Sequence, residues 1–286
     1  MSVVIVGGHD RMVSQYKKIC KDFKCKAKVF TQMSANLSGQ IGSPDLLILF
    51  TNTVSHKMVH CAAWTAVDAA EDETEMCRKV NAEGTENIAR MCGEMDIPMI
   101  YLSTDYVFDG QGTRPWEPDD PVVQPLNVYG QTKYEGELAV EKYTDKYYIV
   151  RIAWVFGVNG KNFIKTMLNL GKTHDTLTVV DDQIGTPTYT YDLARLLVDM
   201  LEKDAYGKYH VTNEGGYITW YEFAKEIFAQ AGMDVNVVPV TSDKFPAKAK
   251  RPHNSRMDKS KLTENGFTPL PAWQDALGRF LKEIEY

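Results

Sequence analysis

An apolar run that ends in polar residues restricts the fold of this chain more than any other feature. Residues 99–102 read Met-Ile-Tyr-Leu, and Ser103 and Thr104 follow directly. Such a run predicts a strand that is buried on both faces, as in a parallel sheet. In open α/β sheets, ligands bind beyond the carboxyl ends of the strands. The sequence therefore predicts an α/β fold in which Ser103 and Thr104 lie at a ligand-binding edge.

The next regular element carries a pair of side chains with a chemical use. Residues 129–143 are rich in Glu, Lys, Leu and Ala, which predicts a helix. Tyr129 and Lys133 stand four residues apart on it and so share one face. A phenol with a pKa of about 10 is a poor proton donor at neutral pH unless its phenolate is stabilised. The Lys133 ammonium does this by charge. We predict that Tyr129 is a general acid and that the Thr104 hydroxyl is a second donor to the same substrate oxygen.

A second pair with the same spacing serves as an internal control. Tyr221 and Lys225 also stand four residues apart in a predicted helix, but no strand that ends in Ser-Thr precedes them. We interpret this pair as structural, with Tyr221 packed inward and Lys225 in solvent. Tyr129 and Lys133 instead follow the predicted strand that ends in Ser103 and Thr104. A loop at residues 109–128 that is rich in Gly and Pro lies between them.

Several stretches resemble one enzyme family. Residues 103–110, 129–137 and 151–157 are similar to the extended short-chain dehydrogenase/reductase superfamily, and most of all to its dTDP-4-dehydrorhamnose reductase family. Residues 61–68, 181–188 and 250–256 add to a resemblance that runs from about residue 61 to the C-terminus. It implies that NADPH or NADH reduces a 4-keto-6-deoxysugar nucleotide, dTDP-4-dehydrorhamnose, to dTDP-rhamnose in deoxysugar and cell-surface polysaccharide biosynthesis. The catalytic residues would be Thr104, Tyr129 and Lys133.

The same resemblance implies two sets of binding residues. The cofactor would contact Gly7, Gly8, Ala62, Ala63, Thr65, Ser103, Tyr129, Lys133 and Ile152. The substrate would contact Asp105, Tyr106, Trp154, Gln183, Arg251 and Asn254, with Trp154 beside the sugar and Arg251 on the diphosphate. No metal is expected. His56 and His60 have helical metal-ligand spacing, but no third ligand accompanies them, and we interpret them as structural.

The first sixty residues depart from the family. Residues 2–6 form an apolar run before Gly7, but a dinucleotide fingerprint needs two more glycines, and Asp10 and Val13 stand in their places. Residues 28–32 lack the acidic residue that would bind a ribose hydroxyl. Residues 1–61 instead resemble an uncharacterised bacterial family of Rossmann-like half-domains. We expect them to extend the parallel sheet, with a loop and short helix at residues 51–60.

Cofactor affinity should reflect this departure. Loss of the glycines and the added carboxylate of Asp10 are expected to cost a few kcal/mol, or roughly 100-fold in affinity. On the sequence alone, the double change Asp10→Gly and Val13→Gly is expected to recover part of it.

Composition limits the kind of partner. The chain has 286 residues, of which 44% are hydrophobic, so it can bury a sizeable core. Its formal net charge of −6 and the lack of a basic cluster argue against nucleic-acid and membrane partners. Five cysteines without a Cys-x-x-Cys motif predict reduced thiols and a cytoplasmic protein. The expected partner is a small sugar nucleotide, and an oligomer is possible.

The predicted architecture is a doubly wound parallel sheet of the Rossmann-like type with a smaller C-terminal substrate-binding lobe. Residues 1–155 would form the dinucleotide-binding domain, with the atypical segment 1–61, and residues 156–286 the sugar-nucleotide lobe, interleaved with it. One alternative function is a non-catalytic or cofactor-impaired Rossmann-fold protein that binds or regulates. A sugar-nucleotide epimerase or dehydratase is a weaker alternative, because a dehydratase needs Glu after Asp105, where Tyr106 stands.

Overall fold

The computed structural model describes residues 2–6, 13–22, 24–30, 46–50 and 57–284. It confirms the α/β class and the Rossmann-like sheet. The expectations for Gly7, Gly8, Asp10 and His56 concern residues outside the described ranges.

The described strands, in chain order, are β1 (Ser2–Val6), β2 (Lys26–Phe30), β3 (Leu46–Phe50), β4 (Met58–His60), β5 (Met99–Thr104), β6 (Tyr147–Ile152), β7 (Val155–Phe156), β8 (Thr176–Val180), β9 (Ile184–Gly185), β10 (Thr188–Tyr189), β11 (Gly207–His210), β12 (Ile218–Thr219) and β13 (Asn236–Val240). The described α-helices are α1 (Val13–Asp22), α2 (Val67–Ala70), α3 (Thr74–Arg78), α4 (Gly84–Glu94), α5 (Val128–Tyr143), α6 (Phe163–Gly171), α7 (Thr190–Leu201), α8 (Trp220–Ala231), α9 (Ser260–Glu264) and α10 (Trp273–Glu283).

Seven strands form one sheet in the order β11-β6-β5-β4-β3-β1-β2. Strand β1 is parallel to β2 and β3, and β4 is parallel to β5. Strands β3 and β4, however, are antiparallel, with Ile48 opposite His60. The amino-terminal strands therefore run against β4 and β5. The expectation of parallel pairing is correct between β1, β2 and β3. It is wrong between β3 and β4.

Chain length explains the antiparallel junction. Only residues 51–57 connect β3 to β4. A parallel pair needs a crossover of roughly a dozen residues or more, whereas an antiparallel pair closes with a short loop. The predicted loop and short helix at residues 51–60 is wrong at its end, because Met58–His60 is a strand.

The register fixes where β1 ends. Val6 pairs with Leu49, Leu49 with Val59, and Val59 with Ile100. The carboxyl end of β1 is thus level with Ile100, in the amino-terminal half of β5. Ser103 lies further along β5 in the opposite direction, by about 10 Å at 3.3 Å per residue.

The chain forms two compact units. The first unit comprises residues 1–103, 132–150 and 201–207, and the second comprises residues 104–131, 151–200 and 208–286. In the first unit, Met58, Met99 and Ile149 of the sheet pack with Ala89 of α4 and Val140 of α5. The core of the second unit lies between α6, α8 and α10, where Leu168, Phe223, Phe228, Leu277 and Phe280 are buried.

The helices follow the sequence patterns closely. The helix predicted at residues 129–143 is α5, and the long helix that the pattern indicates at residues 73–95 is interrupted by a π-helical turn, Lys79–Glu83. Thr219 and Glu222 form a capping box at the start of α8. None of the helices within the described ranges is long and apolar enough to span a bilayer.

Candidate active site

In the first unit, the lysine of the predicted pair is buried against β5. Lys133 is 1% exposed, and its Nζ donates a 2.7 Å hydrogen bond to the Leu102 carbonyl. The same Nζ lies 4.1 Å from the centroid of the Tyr101 ring, which is a cation–π contact. Burial lowers the pKa of Lys133 to about 7, and the Glu137 carboxylate opposes this shift. Glu137 also accepts a 2.5 Å hydrogen bond from Ser103 Oγ.

A glycine permits this approach of α5 to β5. A Cβ at Gly136 would lie 2.3 Å from Tyr101 Oη and 2.7 Å from the Asn81 carbonyl oxygen. Tyr101 Oη also donates a 3.2 Å hydrogen bond to the Lys133 carbonyl. The absence of a side chain at Gly136 therefore helps set the height of Lys133 over the sheet.

The π-helical turn anchors the loop that follows β4. The Asn81 side chain accepts a 2.7 Å hydrogen bond from Trp64 N and donates to Trp64 O and Thr132 Oγ1 at 3.2 and 3.1 Å. Asn81 is fully buried. Its side chain thus ties this loop to α5, as is typical of π-helical turns near functional sites.

In the second unit, the predicted catalytic threonine belongs to a chain of buried hydrogen bonds. Thr104 Oγ1 donates to Asp105 Oδ1 at 2.9 Å and accepts from Tyr106 N at 3.3 Å. Ser255 Oγ donates to Asp105 Oδ2 at 2.5 Å. Burial raises the pKa of Asp105 to about 6, although the hydrogen bonds from Ser255 and Thr104 oppose the rise.

Tyr129 lies in the first turn of α5, next to the turn that carries Tyr106. The two rings meet edge to face with centroids 5.6 Å apart. A Cβ at Gly130 would lie 2.1 Å from the Tyr106 carbonyl oxygen, so only glycine allows the two turns to approach this closely. Asn127 Oδ1 caps the turn by accepting from Gly130 N at 2.8 Å.

A cavity of about 420 Å³ opens in the second unit. Four of the predicted substrate residues line it: Tyr106, Trp154, Gln183 and Arg251. Asn254 has other partners, because its amide donates to the carbonyls of Gln111 and Arg114 at 3.1 and 2.9 Å. Asp105 is buried and bonded to Ser255, which belongs to the cavity wall.

The tryptophan of this wall has an unusual backbone. Trp154 has φ of +48°, in the left-handed region. For a non-glycine residue this costs about 1–3 kcal/mol and is found mainly at functional sites. Its ring stacks on Trp220 with centroids 3.6 Å apart, and Gly185 leaves space for the indole.

Trp220 and Ser255 are among the residues of the cavity wall that sequence reasoning missed. Ser255 lies inside the stretch 250–256 that carries part of the family resemblance, so its position was a usable signal. Trp220 follows the capping residue Thr219 and has no sequence mark that separates it from a core aromatic residue.

The loop after β4 carries small side chains and a buried hydrogen-bond donor, features that suit a cofactor-binding loop. Ala62 and Ala63 are small and half-buried, and Thr65 is exposed. The Trp64 indole Nε1 is buried without a hydrogen-bond partner in the described part of the chain. A buried donor of this kind is rare unless a ligand or water supplies the acceptor. Ile152, another predicted cofactor residue, belongs to the second unit and is half-buried.

The end of β1 is less suited to bind the pyrophosphate of a dinucleotide. Phosphates bind where the carboxyl end of the first strand meets its helix, at the same edge as the other strand ends. Here β1 runs against β4 and β5, so its carboxyl end lies at the other edge of the sheet. Gly7 and Gly8 themselves lie outside the described residues.

Packing supports the structural interpretation of Tyr221 and Lys225, and it places His60 inside the sheet rather than at a partly exposed position. Lys225 is exposed and its Nζ lies 5.3 Å from the Tyr221 ring, which confirms a structural pair. His60 is buried in β4, its Nε2 lies 3.0 Å from Thr85 Oγ1, and burial lowers its pKa to about 3. The described residues contain no cluster of His, Cys, Asp or Glu that could hold a metal ion.

Comparison with known proteins identifies the family. The family described as RmlD substrate binding domain matches residues 1–286. The dTDP-4-dehydrorhamnose reductase of Escherichia coli K12 is 40% identical over 240 residues, which cover 79% of each chain. The chain belongs to the dTDP-4-dehydrorhamnose reductase family. The reductase of Streptomyces griseus is 44% identical over 227 residues, or 77% of this chain and 74% of the relative.

Solved structures of the dTDP-4-dehydrorhamnose reductase family agree over nearly the whole chain. The reductase of Clostridium acetobutylicum has a TM-score of 0.77 and 36% identity and covers 99% of both chains. The reductase of Bacillus anthracis, solved in complex with NADP, has a TM-score of 0.77 and 35% identity with the same coverage.

Proposed function

We propose that the protein reduces the 4-keto group of a 6-deoxysugar nucleotide, dTDP-4-dehydrorhamnose, to give dTDP-rhamnose, with NADPH or NADH as the reductant. The observation that carries the proposal is the Tyr129–Lys133 pair on α5 together with Thr104 at the end of β5. Family membership supports the same reaction, since relatives at 40% and 44% identity are dTDP-4-dehydrorhamnose reductases.

Each catalytic side chain has a defined task. Tyr129 donates a proton to the substrate oxygen at C4, and Thr104 hydrogen-bonds the same oxygen. Lys133, one helical turn from Tyr129, stabilises the phenolate that proton donation leaves behind. Ala62, Ala63, Trp64 and Ser103 would hold the reduced cofactor, which would supply the hydride.

The second unit is the proposed sugar-nucleotide lobe. Its cavity of about 420 Å³ falls in the usual range of small-molecule sites, roughly 300–1,000 Å³. Trp154 flanks the sugar, and the Arg251 guanidinium binds the diphosphate. Tyr106 and Gln183 offer a hydroxyl and an amide at the same wall. The first unit is the proposed dinucleotide-binding part, interleaved with the lobe along the chain.

Paired tyrosine variants test the assignment. Tyr129→Phe should reduce turnover of dTDP-4-dehydrorhamnose about 10² to 10⁴-fold, the usual contribution of a general acid, and leave substrate affinity nearly unchanged. Tyr221→Phe removes a hydroxyl from the structural pair and should cost little. Turnover is followed by the loss of NADPH absorbance, and affinity by calorimetry. Equal losses from both variants would contradict the proposed role of Tyr129.

A further inference from the structure

The bonds of the Thr104 hydroxyl conflict with its proposed task. A hydroxyl has one proton to donate and two lone pairs to accept with. The proton of Thr104 goes to Asp105 Oδ1, and Tyr106 N–H occupies one lone pair. The free position of Thr104 is thus a lone pair. A ketone oxygen is also an acceptor, so the two cannot hydrogen-bond in this arrangement.

A proton on Asp105 removes the conflict. A protonated carboxyl group has one O–H donor, whereas a carboxylate only accepts. Asp105 Oδ2 accepts from Ser255, so a proton on Oδ1 can be donated to Thr104 Oγ1. Thr104 then turns its own proton outward. The same three side chains can thus present either an acceptor or a donor to the substrate.

We propose that Asp105 is a positioning residue that sets the direction of the Thr104 hydroxyl, and that Thr104 donates to the substrate carbonyl only when the Asp105 carboxyl group is protonated. This inference rests on the proposed reduction and assigns Asp105 a role behind the cavity wall. The burial of the three side chains supports it: Thr104, Asp105 and Ser255 are 4%, 3% and 2% exposed. Buried hydrogen-bond chains of this kind are more tightly coupled than exposed ones.

The electrostatic surroundings of Asp105 are suited to this role. Burial raises its pKa to about 6, so both protonation states are populated near neutral pH. The titratable side chains beside Asp105 in the chain and in the loop around Ser255 are Tyr106, Lys250, Arg251, His253, Arg256 and Asp258. Arg251 donates to the Ala249 carbonyl, Arg256 to Asn254 Oδ1, and His253 Nδ1 lies 2.9 Å from the Asp182 carbonyl oxygen.

Asp105→Asn is the central test, because an amide nitrogen imitates the protonated carboxyl group as a donor to Thr104. In the unmodified protein, kcat/KM should fall as pH rises above about 6, by up to about tenfold per pH unit. Asp105→Asn should lack the fall that begins near pH 6, keep the later fall that the ionisation of Lys133 causes, and match or exceed the unmodified protein at pH 7.5. The ionisation of Lys133 is common to both proteins and cancels in the comparison.

Ser255→Ala should shift the pH profile of kcat/KM by changing the stability of the Asp105 carboxylate. Its hydroxyl stabilises the carboxylate, so removing it should raise the pH at which kcat/KM falls. A structural role would instead lower activity at every pH. Asp258→Asn is the matched control: Asp258 accepts from the Ser260 hydroxyl at 2.5 Å, away from Thr104, and its variant should keep the unmodified profile.

A double-mutant cycle decides whether Asp105 acts through Thr104. In a Thr104→Val background, Asp105→Asn should have no further effect on the pH profile. The inference is overturned if the fall in Asp105→Asn still begins near pH 6 rather than near pH 7, or if the variant is equally slow at all pH values. Loss of turnover in Tyr129→Phe alongside either result would leave the proposed reduction intact. Normal turnover in Tyr129→Phe would instead contradict the reduction mechanism itself.

Discussion

At the scale of single residues, Lys133 links catalysis to stability. Its pKa in the native protein is about 7, against 10.5 for an ordinary lysine. Between these values the unfolded chain binds a proton that the native protein lacks. The free energy of unfolding should therefore rise with pH in this interval. The buried ammonium that is proposed to assist Tyr129 below pH 7 is thus held at a cost in stability.

Lys133→Met is expected to remove this pH dependence and most of the turnover together. The unmodified protein should gain up to about 1 kcal/mol per pH unit above pH 7.5 relative to the variant, since one pKa unit corresponds to about 1.4 kcal/mol. Urea unfolding at pH 7.5, 8.5 and 9.5 measures the two slopes. Lys225→Met, at the exposed lysine of the structural pair, should keep both the slope and the activity. Parallel slopes for Lys133→Met and the unmodified protein would show that Lys133 keeps an ordinary pKa.

Spacing alone identified Tyr129, Lys133 and Thr104 as candidates, because a helical turn and a strand end are visible in sequence. It did not reveal the bond from Thr104 to Asp105, whose significance depends on burial and on Ser255, 150 residues away. Asn254 was placed in the substrate set by its motif. In the structure, the Asn254 amide instead donates hydrogen bonds to the carbonyls of Gln111 and Arg114.

At the scale of elements, the contact of α5 with β5 depends on a missing side chain. Gly136→Ala would place a methyl group 2.3 Å from Tyr101 Oη and 2.7 Å from a backbone oxygen. Forcing such a contact typically costs about 1–3 kcal/mol. We expect a lower free energy of unfolding and weaker activity, since the helix carries Lys133.

Gly278→Ala in α10 is the matched control. Its new Cβ would lie 3.0 Å from Gln230 Oε1, the end of a flexible side chain that can move away. Replacing a mid-helix glycine with alanine should then stabilise the protein by about 0.5–1 kcal/mol. Thermal unfolding of both variants gives the comparison. Equal shifts would mean that α5 moves aside without strain.

The helix at residues 129–143 and the strand at residues 99–102 were predicted, because residue propensity and apolar runs act locally. The short strands β4, β7, β9, β10 and β12 were not predicted, since two or three residues carry no recognisable period. The π-helical turn at Lys79–Glu83 was also invisible, because it forms through the tertiary contacts of Asn81 with Trp64 and Thr132.

At the scale of the whole molecule, the antiparallel β3–β4 junction leaves the sheet complete but is expected to weaken cofactor binding. Strands β1 to β3 complete the sheet, yet the carboxyl end of β1 is level with Ile100 rather than with Ser103. Sequence suggested weak dinucleotide binding from missing glycines. The direction of β1 gives a stronger reason, and glycine substitutions cannot change it.

Affinity measurements with a whole and a truncated cofactor test this reason. NADPH should bind only about tenfold more tightly than reduced nicotinamide mononucleotide, because the adenylate half gains few contacts. Replacing residues 1–60 by the equivalent segment of the E. coli relative should improve NADPH affinity by roughly 100-fold, about 2.7 kcal/mol, and leave the mononucleotide unaffected. The double change Asp10→Gly and Val13→Gly should give no gain. Tight NADPH binding by the unmodified chain would refute this account.

The stacked pair of Trp154 and Trp220 has an optical consequence. Indole rings whose centroids lie 3.6 Å apart couple their electronic transitions, so the pair gives a circular-dichroism signal that neither ring gives alone. Because both rings line the cavity, a nucleotide that displaces either one uncouples the pair. The tryptophan pair in the cavity wall is therefore also a spectroscopic reporter, and occupancy of the cavity can be followed without a label.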